Sequence, residues 1–259
     1  MTSISTALPS LYISHGAPNL ILYDSDTRDF WRALGEKWPR PSAILIMSAH
    51  FEAARPLFEK GAHPGMIYDF GGFEPKLYQM TYPAPGAPAL AEKAFGLARA
   101  AGLDAALSDG RGYDHGTWAP LKVMYPQADI PVATLSVQPH ESGAQHLALG
   151  RAVAPLREEG VLIIGSGSAT HNLRSFFGGE DTPPWALTFN EWLCERIEAG
   201  DAEAIAEWER GPDARRNHPS PEHLLPLPFA FGAGGAQARG RRLHHAIVGP
   251  ISLDAYAFA

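Results

Sequence analysis

Residues 43–50 read AILIMSAH. From Ala43 to Ser48 the run is apolar without polar alternation, the pattern of a strand covered on both faces in a parallel sheet. On this reading the strand ends just before His50. Working outward, residues 8–14 read as a shorter strand stopped by His15, Gly16 and Pro18. Residues 131–137 (PVATLSV) are β-branched and strand-like, and residues 161–164 (VLII) run into the glycine-rich GSGSATHN. Residues 56–60 and 104–108 are weaker strand candidates. Helical periodicity occupies 30–37, 87–101, 117–124, 142–159, 184–197 and 202–208. Ser220, Pro221 and Glu222 read as a helix start, with Ser as N-cap and Pro at the first helical position. Residues 243–248 and 251–257 read as a closing hairpin or edge strands. Strands alternating with helices predict an α/β fold: a single layered domain over residues 1–259, with a central, mainly parallel (mixed) sheet flanked by helices.

Composition narrows the partners. The formal net charge is −7, from 28 acidic and 21 basic residues, with no basic stripe, so nucleic acid is not an expected partner. The N-terminus MTSISTALPSLYIS shows neither a basic region nor a long apolar one, and no run is long enough to span a bilayer. A single cysteine, Cys194, leaves no internal disulfide framework and suits a reducing cytoplasm; its expected place is buried in a helix. The 26 glycines and 23 prolines fall between periodic segments and read as long, shaped loops. GSGSAT follows a strand but lacks the GxGxxG spacing, so no nicotinamide or flavin is expected. Oligomeric state is expected to be a monomer or a small homo-oligomer.

Chemistry concentrates in histidine. Five of the 11 lie where periodic structure stops: His15 in SHGAP, His50 in SAHFE, His115 in YDHGTW, His171 in GSATHNL and His223 in SPEHLLPL. Ligands of such sheets bind outside the carboxyl ends of the strands, and His15, His50 and His171 all follow a strand. Imidazole is the commonest protein ligand for a transition metal and the usual proton shuttle near neutral pH. Small neighbours, Ser14 and Gly16 around His15 and Ser48 and Ala49 around His50, let the backbone approach a buried ion. His223, as the third residue of a helix, would be kept neutral by the positive helix end. His63, His140, His146 and His218 have no partner at ligand spacing. His244 and His245 are adjacent on a strand, so they face opposite ways and cannot share a site.

The ordered set HGAP, SAH, YDFGGF, YPAPG, DHGTW, ADIP, THNL and PEHLLPL resembles the class III extradiol ring-cleavage dioxygenases, in the branch of the 4,5-DOPA extradiol type. The similarity runs from about His15 to the closing strands. It implies a non-haem metal held by His15, His50 and His223, with Fe(II) expected for activity and Zn(II) as another occupant. It implies that His171 lies beside the metal as acid/base or fourth ligand, and that His115 lines the substrate pocket. Substrates would be a catechol and O2, with no membrane partner. Where the wider class uses a carboxylate ligand, this chain offers His223; the neighbouring Glu222, about 100° around a helix, is expected to point elsewhere. Three neutral ligands would leave a ferrous ion more electropositive than two histidines and a carboxylate, and would ease zinc occupancy. Tyr113, Trp118, Phe70 and Phe73 are candidates for an aromatic wall, with core packing the competing role. Two other readings stay open: a zinc hydrolase on the same three histidines, and a non-catalytic binding module of the same fold.

Overall fold

The computed structural model describes residues 7–179 and 181–259. Ten strands are present among them: β1 (Ser10–Ser14), β2 (Ala43–Glu52), β3 (Leu57–Glu59), β4 (Ala106–Ser108), β5 (Val132–Val137), β6 (Val161–Gly167), β7 (Gly240–His244), β8 (Ile247–Val248), β9 (Ile251–Ser252) and β10 (Ala255–Phe258). The α-helices are α1 (Asp26–Glu36), α2 (Pro88–Ala100), α3 (His115–Met124), α4 (Gly143–Val153), α5 (Leu173–Phe177), α6 (Pro184–Ala199), α7 (Ala202–Ala206), α8 (Ala214–Asn217) and α9 (Pro226–Ala233). Eight strands form one sheet in the order β4-β3-β5-β2-β6-β1-β10-β7, and β8 and β9 make a small hairpin. The central run β5-β2-β6-β1 is parallel; β10 pairs antiparallel with β1, and β7 with β10. The sheet is mixed and mainly parallel at its centre, as expected.

The apolar run of β2 has no polar face because both faces are covered. Ile44 and Ile46 turn toward the side carrying Trp31, Leu34, Trp118 and Leu121 of α1 and α3. Leu45 and Met47 turn to the other, against Ala91 and Ala94 of α2, Leu149 of α4 and Phe229 of α9. Period-two alternation thus feeds two cores and produces three layers. A third apolar cluster joins α6 and α7 to β10 through Phe189, Leu193, Ile197, Ile205, Tyr256 and Phe258. Cys194 is buried in α6. Among the described residues no helix is long and apolar enough to cross a membrane.

Three expectations about element ends are corrected. Strand β2 does not stop before His50; it continues to Glu52, with its register against β5 shifting between Ser48 and Glu52. The irregularity leaves His50 between two paired stretches, free to be re-aimed. Strand β6 carries on through Gly165, Ser166 and Gly167, so the glycine-serine segment is largely strand. The PEHL stretch is a turn and α9 begins only at Pro226, so His223 is not held neutral by a helix end. Elsewhere α3 starts at His115, two residues earlier than the periodicity indicates, because the Asp114 carboxylate accepts the Thr117 N–H and caps it.

His146 is a satisfied core histidine. Its Nδ1–H donates to the Ser142 carbonyl at 2.9 Å, and its Nε2 accepts the Gln138 N–H at 3.2 Å. Burial lowers its pKa from 6.5 to about 4. The unfolded chain therefore binds a proton that the folded chain refuses. Stability present above the unfolded value of 6.5 is lost as pH falls through about 4. His218, lowered to about 3 by burial, acts in the same direction. Denaturant titrations of the metal-free protein are expected to show a loss on the order of 3 kcal/mol from His146 alone between neutrality and pH about 4. A flat profile across that window would contradict the assignment.

Candidate metal centre

The parallel strands deliver their carboxyl ends to one edge of the sheet, and five imidazoles meet there. His15 follows β1, His50 sits on the irregular end of β2, His115 opens α3, His171 follows β6, and His223 lies in the turn before α9. The ring centroids of His15, His50 and His223 form a nearly equilateral triangle with sides of 4.9, 5.0 and 5.4 Å. His115 lies 4.1 Å from His50 and 5.3 Å from His15, and His171 stacks in parallel on His223 at 3.6 Å. Ligand atoms of His15, His50 and His115 are mutually close enough to hold an ion, as are those of His171, Glu222 and His223. The trio expected from sequence draws two members from the first group and one from the second.

Hydrogen bonds determine which ring nitrogen faces inward. Ser166 Oγ donates to the Gly116 carbonyl at 2.6 Å, so toward His15 Nδ1, 3.0 Å away, it can only accept. His15 therefore carries its proton on Nδ1. His50 Nδ1 faces the Asp69 carboxylate at 3.2 Å, His115 Nδ1 faces it at 2.9 Å, and His223 Nδ1 faces Glu222 at 2.8 Å. Carboxylates accept, so the His115 and His223 nitrogens donate; at His50 the nearby carboxylate favours the proton on Nδ1 by charge. In His15, His115 and His223 Nε2 is left with its lone pair, and the carboxylate behind His50 favours the same tautomer there. His15 Nε2 and His50 Nε2 stand 3.0 Å apart. Two lone pairs facing each other at that distance repel unless a cation lies between them. Two nitrogens bonded at right angles to one ion, each at ~2.1 Å, stand roughly 3.0 Å apart. The donor set fits a transition metal.

Electrostatics agree. His15 and His223 are held well below the usual imidazole pKa, first by burial and then by the crowding of the other histidines. Burial is also the largest cause for His50 and His171, each lowered to about 4. Neutral imidazole is the form that binds metal. Burial alone would raise the pKa of Asp69, but the hydrogen bonds from His115 and the favourable electrostatics of the His115 and His50 rings outweigh it and bring it to about 2.

The backbone crowds the cluster at two glycines. A Cβ on Gly116 would stand 2.6 Å from Ser48 Oγ, 3.1 Å from His50 Cδ2 and 3.3 Å from His15 Nδ1. A Cβ on Gly167 would stand 2.0 Å from the His223 carbonyl, which accepts the Ser168 N–H. Under His50, Arg111 donates to its carbonyl at 2.8 Å and to Asp114 at 3.0 Å, while Asp114 also accepts from Ser48 at 2.7 Å.

The remaining histidines stay outside. His63 and His140 are exposed, His146 is buried in its own hydrogen bonds, and His218 is buried with Nε2 donating to the Ala169 carbonyl. His244 bonds Thr27 and stacks on Phe30, whereas His245 bonds Asp254. The backbone of His171 is tied down, its N–H donating to the Asn217 carbonyl at 3.0 Å. Tyr113 and Trp118 are core, with the Tyr113 hydroxyl among carbonyls and Trp118 Nε1 on the Ile67 carbonyl. Phe70 does line the cluster, edge-on to His115 at 5.7 Å, and Phe73 packs on Phe70. Sequence reasoning passed over Asp69 and Ser166. The only signal for Asp69 was a carboxylate in the aromatic phrase YDFGGF, and Ser166 had none.

The glycine contacts are testable. Gly116→Ala is expected to destabilise the fold by about 1–3 kcal/mol and to lower bound zinc, read by elemental analysis of the folded protein. Wild-type zinc content in a folded Gly116→Ala protein would show that the close approach does not matter.

Comparisons with known proteins agree with this geometry. The sequence pattern described as "Catalytic LigB subunit of aromatic ring-opening dioxygenase" matches residues 9–258. A protein of Beta vulgaris named 4,5-DOPA dioxygenase extradiol is 42% identical over 96% of this chain and 96% of its own length. One of the same name from Escherichia coli K12 is 38% identical, covering 90% of this chain and 88% of its own. A crystal structure of an uncharacterized protein from Escherichia coli K12 superposes with a TM-score of 0.79 at 32% identity, over 96% of this chain and 99% of that one. The chain belongs to the family of the catalytic LigB subunit, the class III extradiol ring-opening dioxygenases.

Proposed function

We propose that this enzyme opens the ring of a DOPA-like or other substituted catechol with O2, next to the diol, at a ferrous ion held by His15, His50 and His223. The observation that carries the reading is the facing Nε2 atoms of His15 and His50 at 3.0 Å with the His223 ring packed against both, each ring having an acceptor behind its Nδ1. The relatives named for 4,5-DOPA cleavage support the substrate class. Zinc fits the same donors and is a second possible occupant. The single cysteine and the absence of a spanning helix among the described residues support a cytoplasmic setting.

When bound, the metal supplies open positions for the diol and dioxygen and a path for electrons between them. The protein supplies the rest. His15, His50 and His223 hold the ion with neutral nitrogens. His171, stacked on His223, is the group to take a hydroxyl proton from the diol and return one to the opening ring. Burial keeps its ring unprotonated, so a nitrogen lone pair is present when substrate arrives. His115 faces the same space with its Nε2 as an acceptor and orients the substrate or oxygen. Phe70, with Tyr68, Tyr78 and Trp118 packed around it, gives that side an aromatic wall that excludes water.

An aerobic assay of the Fe(II)-reconstituted protein with a catechol panel tests this. A yellow ring-opened semialdehyde is expected, independent of NAD(P)H and abolished by removing oxygen. Hydrolysis of an ester or amide, or binding without turnover, would replace the reading with one of its rivals. Substituting His15, His50 or His223 by Ala is expected to remove most bound metal. His171→Ala is expected to keep the metal and lose about 10²–10⁴-fold in turnover. Metal loss in His171→Ala as severe as in His50→Ala would make it a ligand, and full metal content in His223→Ala with loss in His115→Ala would exchange the third ligand.

A further inference from the structure

We infer that Asp69 is the positioning residue that sets His50 and His115 as a pair, one carboxylate holding both rings in the tautomer that turns Nε2 toward the crevice. The inference rests on the metal reading above. Asp69 lies in the irregular stretch between β3 and α2, and that stretch is pinned to the start of α3. Ile67 N–H donates to the Tyr113 carbonyl and Tyr113 N–H to the Gly65 carbonyl, both at 2.8 Å. Trp118 Nε1 donates to the Ile67 carbonyl at 3.3 Å. These bonds fix where the Asp69 side chain can reach.

Both of its oxygens are engaged. Oδ1 accepts the His115 backbone N–H at 3.1 Å and the His115 Nδ1–H at 2.9 Å. Oδ2 lies 3.2 Å from His50 Nδ1, within charge-pairing reach. Two N–H donors of His115 and the Nδ1 side of His50 thus meet one carboxylate. No neutral side chain of this size can replace it. An asparagine amide has one accepting oxygen and one donating nitrogen. Its NH2 would oppose an imidazole N–H, and that ring must either turn away or move its proton to Nε2. A proton on Nε2 removes the lone pair from the crevice. The two rings lie 4.1 Å apart between centroids, so their orientations are also sterically linked. Asp69 therefore joins a proposed metal ligand to the histidine that faces the substrate, and fixes the nitrogen each presents.

The decisive variant is Asp69→Asn in the full chain, with Asp69→Glu beside it. Nitrogen-edited NMR of the metal-free protein above neutral pH reads the tautomers directly. Wild type is expected to show Nδ1–H in both His50 and His115. Asp69→Asn is expected to switch at least one of them, and to weaken zinc about 10–100-fold in chelator competition, the range for losing a partner of a metal-bound imidazole. Asp69→Glu keeps both accepting oxygens and is expected to retain both tautomers and most of the affinity. Unchanged tautomers and wild-type zinc affinity in a folded Asp69→Asn would overturn the assignment. So would equal losses in Asn and Glu variants without a tautomer change, since shape and not the acceptor pair would then matter. If Asp69→Asn does not fold, the tautomers and affinity of Asp69→Glu decide by the same criteria. The metal reading fails separately, by wild type and His15→Ala binding zinc alike; the tautomer measurement needs no metal and still judges Asp69.

Discussion

Two imidazole nitrogens without protons, 3.0 Å apart in a buried crevice, are the constraint around which the rest of the structure is arranged. Left to themselves, neutral imidazoles in contact would share a proton, one donating Nε2–H to the other. That outcome is prevented on each ring by an acceptor placed behind it: Ser166 for His15, Asp69 for His50 and His115, Glu222 for His223. Ser166 is itself forced to accept, because the Gly116 carbonyl takes its hydroxyl proton. Tautomer control therefore begins in the backbone of α3 and β6 and ends at the crevice.

The sheet makes these contacts possible by keeping its register to the last residue. Ser166 is paired with Ile13 on one side and Ser48 on the other, so the residue that backs His15 is held by both neighbouring strands. The carboxyl edge then needs chains to pass close to one another, and Gly116 and Gly167 permit it where a Cβ would crowd Ser48 and the His50 ring or collide with the His223 carbonyl. Glycine here acts through missing volume. Neither position has a positive φ, so no turn geometry requires it.

The core strands are legible in the sequence because full burial on two faces leaves a contiguous apolar run, and AILIMS, VATLSV and VLII are such runs. Their ends are not, because small polar residues such as Ser166 and Gly167 pair in a sheet as well as any others while reading as a loop. The strand through His50 is missed for a related reason: an irregular stretch between paired residues has no periodicity to detect. The five histidines are legible as a set since each stands in a distinctive phrase. Their supports are not. Asp69 is 46 residues from His115, and only the pinning of its loop to Tyr113 brings the two together. Glu222 was visible as a neighbour of His223 and was expected to point away; it instead accepts the Nδ1 proton, since the segment is a turn and adjacent side chains can meet.

That last contact bears on the electronic question raised by a site with no carboxylate ligand. Three neutral donors alone would leave a divalent ion with its full charge to be balanced in a dry crevice. The structure places two carboxylates one bond further out, Asp69 behind His50 and Glu222 behind His223. A hydrogen bond from Nδ1–H to a carboxylate raises the basicity of the opposite nitrogen, so negative charge reaches the proposed metal through the rings. His15, backed by a neutral serine hydroxyl, is the weaker donor of the three. Under the proposed ligand set, carboxylate charge would thus be kept near the ion while its position is moved outward, leaving three imidazoles as the inner donors.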